Sequence, residues 1–423
     1  MTFAPDAAAR PGPLAAARRK PKLLVHVGGP GKNLLRHVSS WKILYRPSDY
    51  VGPLQPHVVL FPSSQNNDFV RRAAEVPDDV WARARRGAGK IVFDASLEGR
   101  PHFEQTSTAL HRFLGEAGVG LDAGVYVTQN REYGREYQAY CARLGLTRTM
   151  KVVYYDYWLR RFVSDYEVDG ETVFAARLAA FRARGRRRPR RFLSLNLTLR
   201  PTKILFLLSL LRDGLWDSGF VSYGGFERTL QTTNKTIAKL QKITDAIGFE
   251  ALNAELSPLL PRLDAIDPII LGAPASASDM EMVHDEALPE YAASWLSVVT
   301  ETEMLAQPCR ITEKPLKALV NFHPFLVLGN PGALKMIRDL GFQTFPELID
   351  ESYDEELDPR RRFDMVYAEL KRLIALDETE LARREAVVAE KLVFNAEWGL
   401  TRLPHIFRDE IDDALIRDIL APA

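Results

Sequence analysis

The chain has 423 residues, of which 46% are hydrophobic, enough to fill two domains of ordinary size and to exclude a disordered or fibrous protein. Its 56 Lys and Arg nearly cancel its 55 Asp and Glu, so net charge demands neither nucleic acid nor an anionic membrane as the main partner. The two cysteines, Cys141 and Cys309, match no metal or redox spacing, which suits a reducing compartment and makes the cytoplasm the expected location.

Residues 1–20 are rich in Ala, Arg and Pro without an apolar core, and read as a disordered tail rather than a secretory signal. From there short β-branched runs alternate with helical stretches. Strands are predicted at 22–27, 57–61, 90–94, 125–128 and 151–155, and helices at 78–86, 102–114 and 132–144. Alternation at this spacing calls for a parallel sheet covered on both faces, a Rossmann-like α/β domain over 21–181. Residues 182–191 then carry seven arginines in ten positions, broken by Gly185 and Pro189, and read as a solvated linker, with a grip on acidic lipid head groups or a charged glycan as the alternative.

After this run the alternation restarts. Strands are predicted at 192–196, 220–223, 267–271, 295–300 and 325–328, with helices at 201–212, 313–320 and 333–340 and a helical middle from 227 to 263. A second Rossmann-like domain over 192–403 follows, and helical segments at 360–374, 378–394 and 404–420 close the chain. The longest apolar run, Ile204 to Leu211 interrupted by Ser209, is well short of the roughly 20 residues that cross a bilayer. A peripheral contact with the inner membrane is left open.

The residues that carry chemistry cluster between Trp295 and Asp354. A strand ends in Val299-Thr300-Glu301, a polar loop leads to Arg310-Ile311-Thr312-Glu313-Lys314-Pro315, and a second strand ends in Leu328-Gly329-Asn330. Polar residues at the carboxyl ends of successive parallel strands are where open α/β sheets bind ligands. Thr312 is suited to cap a helix whose first turn holds Glu313, Lys314 and Pro315. A lysine there opposes the helix field, so the placement calls for an anion such as a diphosphate, with Glu313 available to a ribose diol. The plain alternative is a surface Glu-Lys pair.

This stretch resembles the donor-binding domain of the fucosyltransferase-like glycosyltransferases of the GT-B fold. The likeness covers about 60 residues and extends weakly back to Phe192-Leu193-Ser194-Leu195-Asn196 and Tyr223-Gly224-Gly225. It implies two Rossmann-like domains facing a cleft, with a C-terminal helix crossing back to the first domain. It also implies a bacterial polysaccharide enzyme with a nucleotide diphosphate sugar as donor, GDP-linked sugars included. Glu313 and Lys314 would hold ribose and phosphates, and Arg200, with Lys203 as its rival, would supply a further phosphate contact. Asn196, Glu301, Arg310 and Thr312 complete the expected donor site. Val299-Thr300-Glu301 stands where α1,3-type members have Phe-Glu-Asn, so base and sugar are left open.

The run Gly28-Gly29-Pro30-Gly31-Lys32-Asn33 is not a phosphate loop, because His26 and Asn33 occupy the positions of its first glycine and its Ser or Thr. No Asp-x-Asp occurs, so no metal cofactor is expected. A general base for an inverting transfer is sought at strand ends of the first domain: Asp94, favoured because its strand should be central, then Glu98 and Asp156. Thr128-Gln129-Asn130 reads as an acceptor surface, and His323 as a packed loop residue. Partners are then a nucleotide sugar and a glycan or lipid-linked acceptor. A sugar-nucleotide epimerase and a non-catalytic nucleotide- or glycan-binding protein are the alternatives.

Overall fold

The computed structural model describes residues 23–27, 43–46, 58–61, 69–97, 99–185, 187–271, 288–305 and 310–421. The tail, the Gly28–Asn33 run, Glu98 and Cys309 lie outside them. Two compact units divide the chain: Asp165–Pro404 makes one, and the residues before Asp165 together with His405–Ala423 make the other.

The first unit holds a six-stranded, wholly parallel sheet in the order β2-β1-β3-β4-β5-β6: β1 Leu23–Val27, β2 Ile43–Arg46, β3 Val58–Phe61, β4 Lys90–Ala95, β5 Gly124–Thr128 and β6 Lys151–Tyr154. Side chains alternate between faces along each strand, and both faces are apolar. Val59, Phe61, Ile91, Phe93 and Ala95 pack with Trp81, Leu110 and Phe113 of the helices Asp78–Arg85 and Glu104–Glu116. Val58, Leu60, Val92, Val125 and Val127 pack with Tyr157, Leu415, Ile416 and Ile419. The last three belong to the C-terminal helix Asp412–Leu420, which therefore belongs to this unit as expected.

The second unit holds a four-stranded parallel sheet, β10-β9-β7-β8: β7 Phe192–Ser194, β8 Gly219–Val221, β9 Leu296–Thr300 and β10 Phe325–Leu328. The fold is thus α/β with two parallel sheets. In each, the first strand of the unit lies between the second and the third, so the chain winds outward in both directions and creates a switch point.

Four expectations change. The strand expected at 267–271 is a single antiparallel bridge, Tyr223 with Ile269, and Pro268 beside it has no N–H to extend a ladder. The helix Gly170–Ala183 and the strand β2 were not predicted. Helix continues from Glu378–Glu397 through a π-turn at Trp398–Arg402 instead of restarting at Pro404, since a wide turn accommodates the N–H that Pro404 lacks.

The arginine run is no free linker either, because the division falls at Ser164 and Asp165. Arg184 and Arg188 both bond the Glu385 carboxylate, at 2.6 Å and 2.5 Å. Arg188 lies 4.1 Å over the Trp295 ring and Arg184 3.8 Å over that of Phe181. Both side chains are at most 7% exposed, so a remote carboxylate and two rings take them out of solvent.

Candidate functional site

The switch point of the second sheet lies between β7 and β9. The residues singled out in the sequence follow these two strands. Beyond β9, Glu301 is 4% exposed and held in place by its N–H, which donates to the Leu328 carbonyl at 2.8 Å. Its carboxylate accepts from the Thr312 hydroxyl at 2.8 Å, the Thr312 N–H at 3.3 Å and the Lys314 ammonium at 3.2 Å. Lys314 also reaches the Thr312 hydroxyl at 3.0 Å and the Glu313 carboxylate at 3.7 Å. Thr312, Glu313 and Lys314 thus form one cluster with Glu301; Arg310 pairs with Glu303 at 3.8 Å and is near enough to Lys314 to influence its ammonium.

Electrostatics hold Glu313 and Lys314 ionised. Burial alone would raise the Glu313 carboxyl, but Lys314, Lys317 and Lys203 outweigh it and set it below its usual range. Burial alone would likewise lower Lys314, but Glu301 and Glu313 prevail and raise it. Each charge is stabilised by the other sign.

Two details differ from the expected cap. The helix is Lys314–Val320, preceded by Glu313, and the Thr312 hydroxyl donates to Glu301 at 2.8 Å while accepting the Lys314 N–H only at 3.4 Å. Seven residues carry little dipole, and the lysine at its start is balanced from within by Glu301. A longer helix, Pro201–Arg212, begins after β7 with Arg200 as its first flanking residue, no acidic residue in its first turn, and Lys203 one turn in. Lys203 is 6% exposed and near enough to Glu313 to influence its carboxyl.

Asn196 is buried between the strands. It accepts from the Thr300 hydroxyl at 2.7 Å, donates to the Ser194 hydroxyl at 2.9 Å, and its N–H bonds the Ser222 hydroxyl at 2.7 Å. The amide thereby ties β7 to the end of β9. Close by, a Cβ at Gly224 would lie 2.0 Å from the Leu197 carbonyl, so only glycine permits this approach of two loops.

In the first unit, Asp94 sits near the end of β4, a central strand, and is 1% exposed. Its carboxylate accepts from the Ser96 N–H at 3.0 Å and hydroxyl at 2.7 Å, a local turn rather than a helix cap. Asp156 pairs with Arg131, while its other carboxylate oxygen is buried with no hydrogen bond among the described residues. Thr128, Gln129 and Asn130 are all buried, and the Gln129 carbonyl oxygen is likewise unpartnered. Glu98 lies outside the described residues.

No protein-family model and no curated protein matches the chain. Several solved structures align with it, among them two over most of its length. One is an α,α-trehalose 6-phosphate synthase from Burkholderia multivorans, with 12% identity, a TM-score of 0.39, and coverage of 86% of this chain and 71% of that one. The other is the N-terminal domain of a trehalose-6-phosphate phosphatase from Candida albicans, with 10% identity, a TM-score of 0.39, and coverage of 95% and 100%. Likeness at this level assigns neither substrate nor site. Among the described residues no helix is long and apolar enough to cross a membrane.

His323 is packed, as its position next to Pro324 suggested. The Ser297 hydroxyl donates to Nδ1 at 2.7 Å, and Nε2–H donates to the Ser294 carbonyl at 2.9 Å. Burial drives its pKa down to about 3; the Ser294 carbonyl opposes this, while Arg184 and Arg188 add to it. Between pH 6.5 and 3 the unfolded chain therefore takes a proton here that the folded chain refuses, so stability falls as pH drops through that window. At a pH one unit below the ordinary value the loss is about 1.4 kcal/mol. His323→Gln should remove that share of the acid sensitivity in urea titrations at neutral and mildly acid pH. Identical pH slopes for the two proteins would refute it.

Proposed function

We propose that the protein is a glycosyltransferase whose second unit binds a nucleotide diphosphate sugar and whose first unit holds a hydroxyl acceptor. The observation that carries this reading is the position of Glu301, Thr312, Glu313 and Lys314 beside the switch point between β7 and β9, where parallel α/β sheets bind ligands. The diphosphate lies against Lys314, Arg310 and the start of the helix Pro201–Arg212, with Arg200 and Lys203 as its further contacts. Glu313 takes the ribose hydroxyls. The fucosyltransferase-like motif supports the same roles, and GDP-linked sugars are the first donors to try.

Transfer is inverting and needs no metal in this reading. Asp94 takes the proton of the acceptor hydroxyl, with Asp156 and Glu98 as the next choices. A glycan or lipid-linked acceptor, as in assembly of bacterial surface polysaccharide, fits the resemblance.

Product analysis tests the proposal. Incubation with GDP-, UDP-, dTDP- and CMP-linked sugars and candidate glycans should yield one glycosylated acceptor and free nucleotide, undiminished after EDTA treatment. An isomerised donor without transfer would identify an epimerase, and no turnover of any donor would leave a binding protein. Activity restored only by Mg²⁺ or Mn²⁺ would overturn metal independence.

A further inference from the structure

Arg362 stands in the first turn of the helix Pro359–Ala375, within the second unit, and is only 1% exposed. Burial pulls its guanidinium down to about 10 against the opposing effect of Glu356, Asp354 and Asp358, so it is charged at neutral pH. Among the described residues no carboxylate bonds it. Its donors go to main-chain carbonyls instead: Nε to Gly329 at 2.9 Å, Nη1 to Glu356 at 2.5 Å and to Leu357 at 3.3 Å, and Nη2 to Met304.

An apolar side chain would fill this place without the cost of taking a cation out of water. Phe363, Val366, Leu370 and Leu373 already bury the same helix, so anchoring the helix does not account for the charge. What a guanidinium does, and an apolar group could not, is join three stretches of main chain at fixed angles through its planar fork. Two of these stretches are the segments that leave β9 and β10.

Those two segments hold Glu301. The register of β9 with β10 sets Leu328 beside Thr300, and hence Gly329 beside Glu301. A Cβ on Gly329 would lie 3.0 Å from Cγ and 3.2 Å from Cβ of Glu301, so the Glu301 side chain runs along the bare backbone of Gly329. Through the Gly329 carbonyl Arg362 fixes the surface on which Glu301 lies, and through the Met304 carbonyl it fixes the chain three residues beyond. Asn330 repeats the tie one position on, donating to the Leu305 carbonyl at 2.7 Å. The Glu301 carboxylate in turn holds Thr312 and Lys314.

We infer that Arg362 is a positioning residue for the anion site: without touching a ligand, it aims Glu301, and through Glu301 the Lys314 ammonium, by gripping the Met304 and Gly329 carbonyls. Its effect on binding rests on the nucleotide diphosphate reading of the second unit. Its hold on Lys314 does not, and is measurable without nucleotide.

Competitive acetylation of the full chain, read by mass spectrometry, tests that hold. Only the free amine reacts, so the rate reports the Lys314 ammonium, which burial would lower and which Glu301 and Glu313 keep raised. Arg362→Lys retains a charge, but one ammonium cannot span three segments. Lys314 should then acetylate about three- to tenfold faster, as for a fall of up to about one pKa unit, while the exposed Lys242 keeps its rate. Gly329→Ala presses on Glu301 from the other side and leaves Arg362 in place, so it should give the same rise even if Arg362→Lys does not fold.

Calorimetry with GDP and UDP tests the effect on binding. Arg362→Lys should weaken whichever nucleotide binds by about tenfold, but by less than about twofold when Lys314 is already Ala, because members of one network are not additive. Equal weakening in both backgrounds, a lower melting temperature with unchanged affinities, or unchanged Lys314 acetylation in both variants would each overturn the proposal. If neither nucleotide binds the unaltered protein while acetylation rises as expected, the glycosyltransferase reading fails and the hold of Arg362 on Lys314 stands.

Discussion

Lys314→Ala is expected to weaken binding of the cognate nucleoside diphosphate by about ten- to a hundredfold, the worth of one hydrogen bond to a charged group, and to lower kcat/KM by about 10²–10³, the usual cost of losing a donor to developing charge. Two effects act together in this variant. The mutation removes a cation from the diphosphate, and it also frees Glu301, whose carboxylate Lys314 holds at 3.2 Å. A buried carboxylate deprived of its counter-ion repels an arriving anion, so both effects weaken binding, although they act differently on stability. Loss of the ion pair alone lowers the melting temperature with or without nucleotide. Loss of a nucleotide contact also removes the stabilisation that saturating nucleotide gives the unaltered protein.

Thermal shifts with and without GDP or UDP therefore separate the roles. Glu301→Gln supplies the second arm, since it keeps the shape of the cluster and releases Lys314 toward the ligand. Nucleotide affinity in Glu301→Gln should hold or rise while that of Lys314→Ala falls. If Lys314→Ala lost stability but bound nucleotide as before, the cluster would be a structural ion network and the donor site would lie elsewhere.

The strands were legible because each is a short apolar run between turn residues, and parallel strands buried on both faces need nothing else. β3, β4 and β10 read this way almost to the residue. β2 did not, because Ile-Leu-Tyr-Arg at a sheet edge is too short and too mixed to stand out. The sequence brought Thr312, Glu313 and Lys314 to attention through a helix start that disfavours lysine, and the structure changes that argument. Glu301, eleven residues before Thr312, supplies the missing anion from the end of the neighbouring strand. Local spacing could not show this, because the contact depends on β9 and the following helix packing side by side. What the structure adds is the strand order, which puts Asn196 and Glu301 just beyond the two strands that flank the switch point. The arginine run misled for the same reason. Its composition is that of a solvated segment, but Glu385, some two hundred residues away, and the ring of Trp295 bury two of its members.

The largest stability effect is expected where the C-terminal helix joins the first unit. Asp412 is fully buried, accepting from the Tyr155 hydroxyl at 2.8 Å and from Arg160 Nε at 3.1 Å, and Arg160 is itself 2% exposed. Asp412→Ala removes a carboxylate that neutralises a buried guanidinium, a change that costs about 3–5 kcal/mol when one partner of such a pair is lost. The helix also contributes Leu415, Ile416 and Ile419 to the core against Val58, Leu60 and Val92, so its release exposes the sheet face as well as the charge. Amide exchange of β4 and of residues 412–420 in the variant should accelerate together, since the two share one cluster. The double variant Arg160→Met/Asp412→Leu decides the cause. An apolar pair of similar volume should recover most of the loss if the uncompensated charge is responsible. If the double variant were as unstable as Asp412→Ala, the Tyr155 bond and the packing it orders, rather than the ion pair, would hold the helix in place.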